Sequence, residues 1–191
     1  FNIEFLSTTE SAIDALKSHQ TLRDSDWNGR VVSTYRPDSV IDSEHPEFYK
    51  SLEIFGNFTG EDVFSWHGYL NAHRKRRADF IALGATSSDH GHPSASTANL
   101  TSIECEKLFK RVTSGRLGPD DAELFRAQML TEMARMSLDD RLVMQIHPGS
   151  FRNHNKWLFE NYGADKGADI PKRINYSSAL KPLLDCFGNN P

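Results

Sequence analysis

The chain has 191 residues, more than the usual single domain and fewer than the roughly 250 of a whole (β/α)8 barrel. Its net charge of −4 and pI near 6.1 give no electrostatic reason to expect nucleic acid or an anionic membrane as partner. No apolar run approaches the ~20 residues that cross a bilayer, so no membrane partner is expected either.

In chain order, apolar residues at Ile3, Phe5 and Leu6 predict a short strand over Asn2–Ser7. Thr8-Thr9-Glu10-Ser11 has the residue types of a helix start, and Ile13, Leu16 and His19 follow at helical spacing. Asp26–Gly29 reads as a turn. Val31–Tyr35, β-branched and aromatic, predicts a second strand that ends at Arg36-Pro37, since proline cannot continue a central ladder. Glu47–Phe55 and Asp62–Ile81 predict helices. In the second, Phe64, Tyr69, His73, Phe80 and Ile81 fall on one side, and Arg74, Lys75 and Arg77 point elsewhere. Ala82–Thr86 predicts a weak strand running into a polar loop, Ser87–Ser96. Helices over Ser102–Thr113 and Pro119–Met136 follow, the latter with Asp120, Asp121 and Glu123 complementing the dipole of its first turn. Leu142–Ile146 predicts another strand, and a helix near Ser177–Phe187 ends at Gly188.

This order, with crossovers long enough for helices, predicts the α/β class: (β/α) units on a parallel sheet. Residues 1–191 read as a single domain, or one piece of one. The strand-like start and the initial Phe suggest that the chain begins inside a larger protein. No basic region followed by a long apolar one opens the chain, so no secretion signal is expected, and a cytoplasmic location follows. In that compartment Cys105 and Cys186 are expected as free thiols.

Chemistry is expected at the strand ends, as in α/β barrels. Leu142–Ile146 runs into His147, then Pro148-Gly149, then Arg152, Asn153, His154 and Asn155. A neutral imidazole there can bind a divalent metal or move a proton near neutral pH. Ser88-Asp89-His90-Gly91-His92 places an aspartate where it can orient a neighbouring histidine, and His-x-His can present two imidazoles on one side. Arg36 offers a planar fork matched to carboxylate, or a structural pair with Asp38 or Asp42. Arg152 has the same two readings. The run His73–Arg77 reads as a solvated helix face, with Arg76 the exception that could reach a substrate.

At these residues the chain resembles the uronate (glucuronate) isomerase family of the amidohydrolase superfamily. The resemblance rests on Ser7-Thr8-Thr9-Glu10, on TYRPD at 34–38, on ATSSDHG at 85–91 and on MQIHPGSFRNHN at 144–155. Tyr35 stands where the family has Phe, and His154 where Asn is common. The resemblance implies a TIM-barrel-like, metal-dependent amidohydrolase fold, of which this chain would be the central portion, about half. It implies conversion of D-glucuronate to D-fructuronate, an aldose–ketose isomerisation of a small sugar acid. A divalent metal, expected to be zinc, would be held in the complete protein by a first-strand His-x-His pair and a last-strand aspartate, neither placed here. The aspartate would also be the base. Within the chain, His147, His90 and Asp89 are the expected catalytic residues, with His147 near the metal and Asp89 orienting His90. Arg36, Arg152 and Arg76 are the expected substrate-binding residues. A metal-dependent hydrolase and a non-catalytic folded fragment remain open alternatives. So does a homo-oligomer, since open sheet edges invite a second copy.

Overall fold

The computed structural model describes residues 3–190. Its elements in order are Phe5–Ser11 (β1), Lys17–Arg23 (α1), Arg30–Arg36 (β2), Asp38–Ile41 (α2), Phe48–Thr59 (α3), Trp66–Ala82 (α4), Ser87–His90 (β3) and Ser102–Thr113 (α5). They continue with Asp121–Asp140 (α6), Val143–Ile146 (β4), Ser150–Phe151 (β5), Lys156–Tyr162 (α7), Ile170–Pro171 (β6), Tyr176–Ala179 (α8) and Lys181–Phe187 (α9). The first four strands form one sheet in the order β1-β2-β3-β4, every pair parallel. This is the α/β architecture of a partial TIM-barrel-like fold. The short strands β5 and β6 pair antiparallel beyond it.

Strand alternation sorts the sheet into two faces. On one, Tyr35 meets the helix layer, its ring edge-on to Phe80 with centroids 5.0 Å apart and its hydroxyl 2.7 Å from His73 Nδ1. The core lies here, where Phe55, Tyr69, Phe109, Phe125 and Met133 pack between helices and sheet. The other face carries a hydroxyl ladder, Ser7 to Thr34 and Thr34 to Ser87, at 3.1 Å each. In β4, Met144 packs toward the core while Val143 is 64% exposed, so the second face is the open one.

Four expectations need correction. The first strand is shifted, since Thr8–Ser11 extends β1 rather than starting a helix (Asn2 lies outside the described residues). Thr8 bonds His19 and Glu10, Glu10 accepts from Ser33, and Ser11 meets Ser39, so these polar side chains are satisfied across elements rather than at a cap. The helix begins only at Lys17, after Leu16 in a left-handed conformation (φ 55°). The weak strand over Ala82–Thr86 is the end of α4 and a turn at Gly84 (φ 95°), and the strand is the polar Ser87–His90 itself. Arg77, expected to be solvated, is fully buried because Asp140 and Ser137 meet its guanidinium. The helix near Ser177–Phe187 is two short ones, α8 and α9.

Elsewhere the local signals agree with the sequence. Ser102–Thr113 starts on a capping box, with Thr101 and Glu104 each meeting the other's backbone. Residues 38–41 and 156–162 form helices that periodicity had not suggested. The second of these is capped by Asn155, whose side chain accepts from the Leu158 N–H.

Candidate active site at the strand ends

Parallel pairing brings the carboxyl ends of β2, β3 and β4 side by side. Arg36 ends β2, Asp89 is the third residue of β3, and His147 follows β4, where its N–H donates to the His90 carbonyl. By alternation all three project to the open face. Asp89 sits between the other two. Its Oδ1 is 2.7 Å from His147 Nε2, and its Oδ2 is 3.6 Å from an Arg36 terminal nitrogen. Arg36 also donates through Nε to Asp38 Oδ2 at 2.8 Å. Burial works to lower the Arg36 pKa, but the charge and hydrogen bond of Asp38, with Asp89 and Asp165, outweigh it and hold the pKa above its usual value. The guanidinium therefore stays cationic.

Arg152 approaches from beyond β5. It lies 3.4 Å from Asp169 and 3.8 Å from Asp165, the acid that also acts on Arg36. Arg36, Asp89, His147 and Arg152 thus gather around one rim. Half-exposed His147 and Arg152 can meet a solute there, whereas Asp89 is 90% shielded and anchors His147 and Arg36. A cavity of about 260 Å³ opens beside Arg36 and Asp38, lined also by Ser11, Ser39, Asp42 and His45. Another of about 350 Å³, lined by His19, Trp27, Arg30 and Gly84, lies at the amino ends of the strands and away from these groups.

Two expected site residues are placed elsewhere. Asp89 orients His147 and not His90, because adjacent strand residues face opposite sides. His90 is wholly buried on the helix side, with Nε2 3.1 Å from Ser88 Oγ, so it does not reach a sugar on the open face. Arg76 is buried too. Its guanidinium is committed to the carbonyls of Ala12 and Asp14 and to Asp79, which makes it a clasp for the chain after β1 rather than a substrate contact.

Sequence reasoning passed over Asp38 except as a salt-bridge partner. With His90 and His92 it forms a group whose ligand atoms all lie within 4.8 Å of one another. Among the described residues, this is where a metal ion could be held. His147, the expected metal neighbour, has its Nε2 engaged by Asp89 and keeps only Nδ1 for any further partner. Asp165 and Asp169 were also missed. They stand far from the strand-end motifs in sequence, and only the pairing of β5 with β6 brings them close. Cys105 and Cys186 are both free, and burial pushes the Cys105 thiol up to about 11, away from reactivity.

Residues 1–190 match the family model described as glucuronate isomerase. The uronate isomerase of Xanthomonas campestris pv. campestris (strain B100) is 63% identical over 191 residues, covering 100% of this chain and 41% of that protein. That of Phenylobacterium zucineum (strain HLK1) is 66% identical over 189 residues, covering 99% and 39%. Among solved structures, the glucuronate isomerase from Caulobacter crescentus aligns with a TM-score of 0.96 at 57% identity, over 100% of this chain and 40% of that one. The uronate isomerase from Thermotoga maritima aligns at 0.90 with 26% identity, over 96% and 41%. The chain spans about 40% of the length of the curated relatives it matches.

Proposed function

The chain belongs to the glucuronate isomerase family, and from that premise we propose that it forms the central part of a barrel enzyme interconverting D-glucuronate and D-fructuronate. What carries the reading is the row Arg36–Asp89–His147 across three adjacent strand ends. In the proposed complete protein, residues 1–191 are one continuous portion of a single (β/α)8 domain, and the partner is a small sugar acid. Nucleic acid has no place in it. No described helix is long and apolar enough to cross a membrane, and the proposed location is the cytoplasm.

The isomerisation moves a proton between C2 and C1 through an enediol-like intermediate, so charge develops on the substrate oxygens. Arg36, fixed by Asp38 and kept cationic, offers its remaining donors to the uronate carboxylate. Arg152 meets the carboxylate or a hydroxyl from beyond β5. His147, held through Nε2 by Asp89, is left with Nδ1 to exchange a proton or a hydrogen bond with a sugar hydroxyl. The base for the C2 proton is proposed to come from a strand outside this chain. A divalent metal, with zinc as the proposed ion, would polarise the substrate carbonyl as a Lewis acid when bound.

Arg36→Lys in the full-length enzyme tests the anchor. Lysine keeps the charge but loses the fork that spans Asp38 and the open face. Loss of a charge-assisted hydrogen bond should raise KM for the uronate about 10–100-fold. Inhibition by the uncharged parent sugar should change little, and Arg152→Lys should act in the same direction. Equal weakening toward charged and uncharged ligands would show that Arg36 only supports the fold.

A further inference from the structure

The helix-side surface of the sheet holds a second set of chemistry-bearing groups, joined to the strand-end row through Asp38. His90 ends β3, His92 follows two residues later, and Asp38 opens α2 after β2. His90 and His92 are 0% and 4% exposed, and their ring centroids are 5.9 Å apart. Three ring nitrogens here, His90 Nδ1 and both of His92, are buried without any hydrogen-bond partner. Buried polar atoms are nearly always satisfied, so two imidazoles with orphaned nitrogens grouped with one carboxylate call for a ligand.

We infer that Asp38, His90 and His92 bind a divalent cation of the zinc or cobalt class, at a site separate from Asp89 and His147. The spacing separates this from a simple ion pair. His92 Nε2 lies 3.8 Å from Asp38 Oδ1, too long for a hydrogen bond. Two ligand atoms on a tetrahedral zinc with ~2.1 Å bonds stand roughly 3.4 Å apart, so a small inward shift admits the ion. Two imidazoles and one carboxylate suit zinc or cobalt, whereas magnesium and calcium take oxygen ligands.

The surrounding contacts orient the ligands. His90 Nε2 lies 3.1 Å from Ser88 Oγ; with the ring proton on Nε2 the hydroxyl accepts it and the Nδ1 lone pair is left for the ion. Asp38 Oδ2 takes Arg36 Nε at 2.8 Å and the Gly91 N–H at 3.1 Å, and Oδ1, 3.4 Å from that same N–H, is turned toward His92. Burial drives the pKa of both histidines down, the neutral form that a metal requires. Arg126, the cation acting on His92, is itself offset by Asp42, Glu44 and Glu123. Half-buried Asp38 lines the cavity beside Arg36, which gives the ion a way in. With the ion in place, the loop after β3 is clamped to the start of α2. Arg36 is then fixed indirectly, through Asp38.

The test is cobalt titration of the metal-stripped full-length protein, read as bound equivalents by elemental analysis and as visible d–d absorption. Wild type and Asp89→Asn should bind the same number of equivalents, and His92→Gln one fewer, with loss of a tetrahedral absorption band. If His92→Gln does not fold, Asp38→Asn gives the same readout at a less buried position. Equal stoichiometry and spectra in wild type and the folded variant would overturn the site, as would a wild type that binds no cobalt. Neither outcome depends on whether the protein isomerises uronates.

Discussion

Asp89→Asn in the full-length enzyme is expected to lower kcat by about 10²–10⁴-fold with little change in melting temperature. The carboxylate is the shared anchor of the strand-end row, 2.7 Å from His147 Nε2 and 3.6 Å from Arg36. As acceptor it fixes the His147 tautomer with the proton on Nε2, leaving Nδ1 for substrate. An amide of the same shape removes the charge and can donate instead, so the imidazole loses its one favoured state. In a catalytic triad that loss of tautomer control is what makes an aspartate-to-asparagine change so costly. Packing is preserved, because the side chains are isosteric. Steady-state kinetics beside a thermal melt decide the matter. A kcat within about twofold of wild type would remove Asp89 and His147 from the chemistry.

The largest stability effect is expected at Arg77, in the helix layer. Its guanidinium is wholly buried, held by Asp140 through Nε at 2.5 Å and a terminal nitrogen at 2.8 Å, with Ser137 at 3.0 Å. It also lies 5.9 Å over the Tyr35 ring. Asp140 meanwhile accepts the Leu142 N–H at 3.1 Å, tying the start of β4 to the end of α6. Arg77→Ala strands that carboxylate and opens a cavity against the sheet. Breaking a buried pair on one side costs about 3–5 kcal/mol, and urea unfolding should show a loss of that size. Arg77→Met, which refills the volume, should recover part of it. A loss below about 1 kcal/mol for the alanine variant would mean the pair is strained or solvated.

Arg77 also shows where sequence reasoning runs out. In a run of His-Arg-Lys-Arg-Arg each cation has the same local pattern, and only a carboxylate 63 positions later marks Arg77 as one of the buried ones. Strand order and the meeting of Arg36, Asp89 and His147 at the strand ends were legible, because apolar runs stop at Arg36 and His147 and proline follows both. The polar strand Ser87–His90 was not. It has no apolar alternation to announce it; Ser87 and Asp89 meet Thr34 and His147 of neighbouring segments, and Ser88 meets His90 of its own strand. Misplacing that strand by a few residues hid the alternation that sends Asp89 to the open face and His90 to the helices. The polar cluster after Gly149 was likewise only half readable. Arg152 reaches the rim, but Asn155 is a helix cap and Asn153 holds a left-handed turn (φ 54°) against the Asp165 N–H.

The strand-end row is proposed to serve a uronate isomerase and not a hydrolase built on the same barrel. Product analysis by the full-length, metal-loaded protein tests it most directly, with D-glucuronate in deuterated water set beside lactone, ester and amide substrates. Formation of D-fructuronate with solvent deuterium entering at C1, and no hydrolysis of the other substrates, is the result expected. Hydrolytic turnover without any ketose would contradict it.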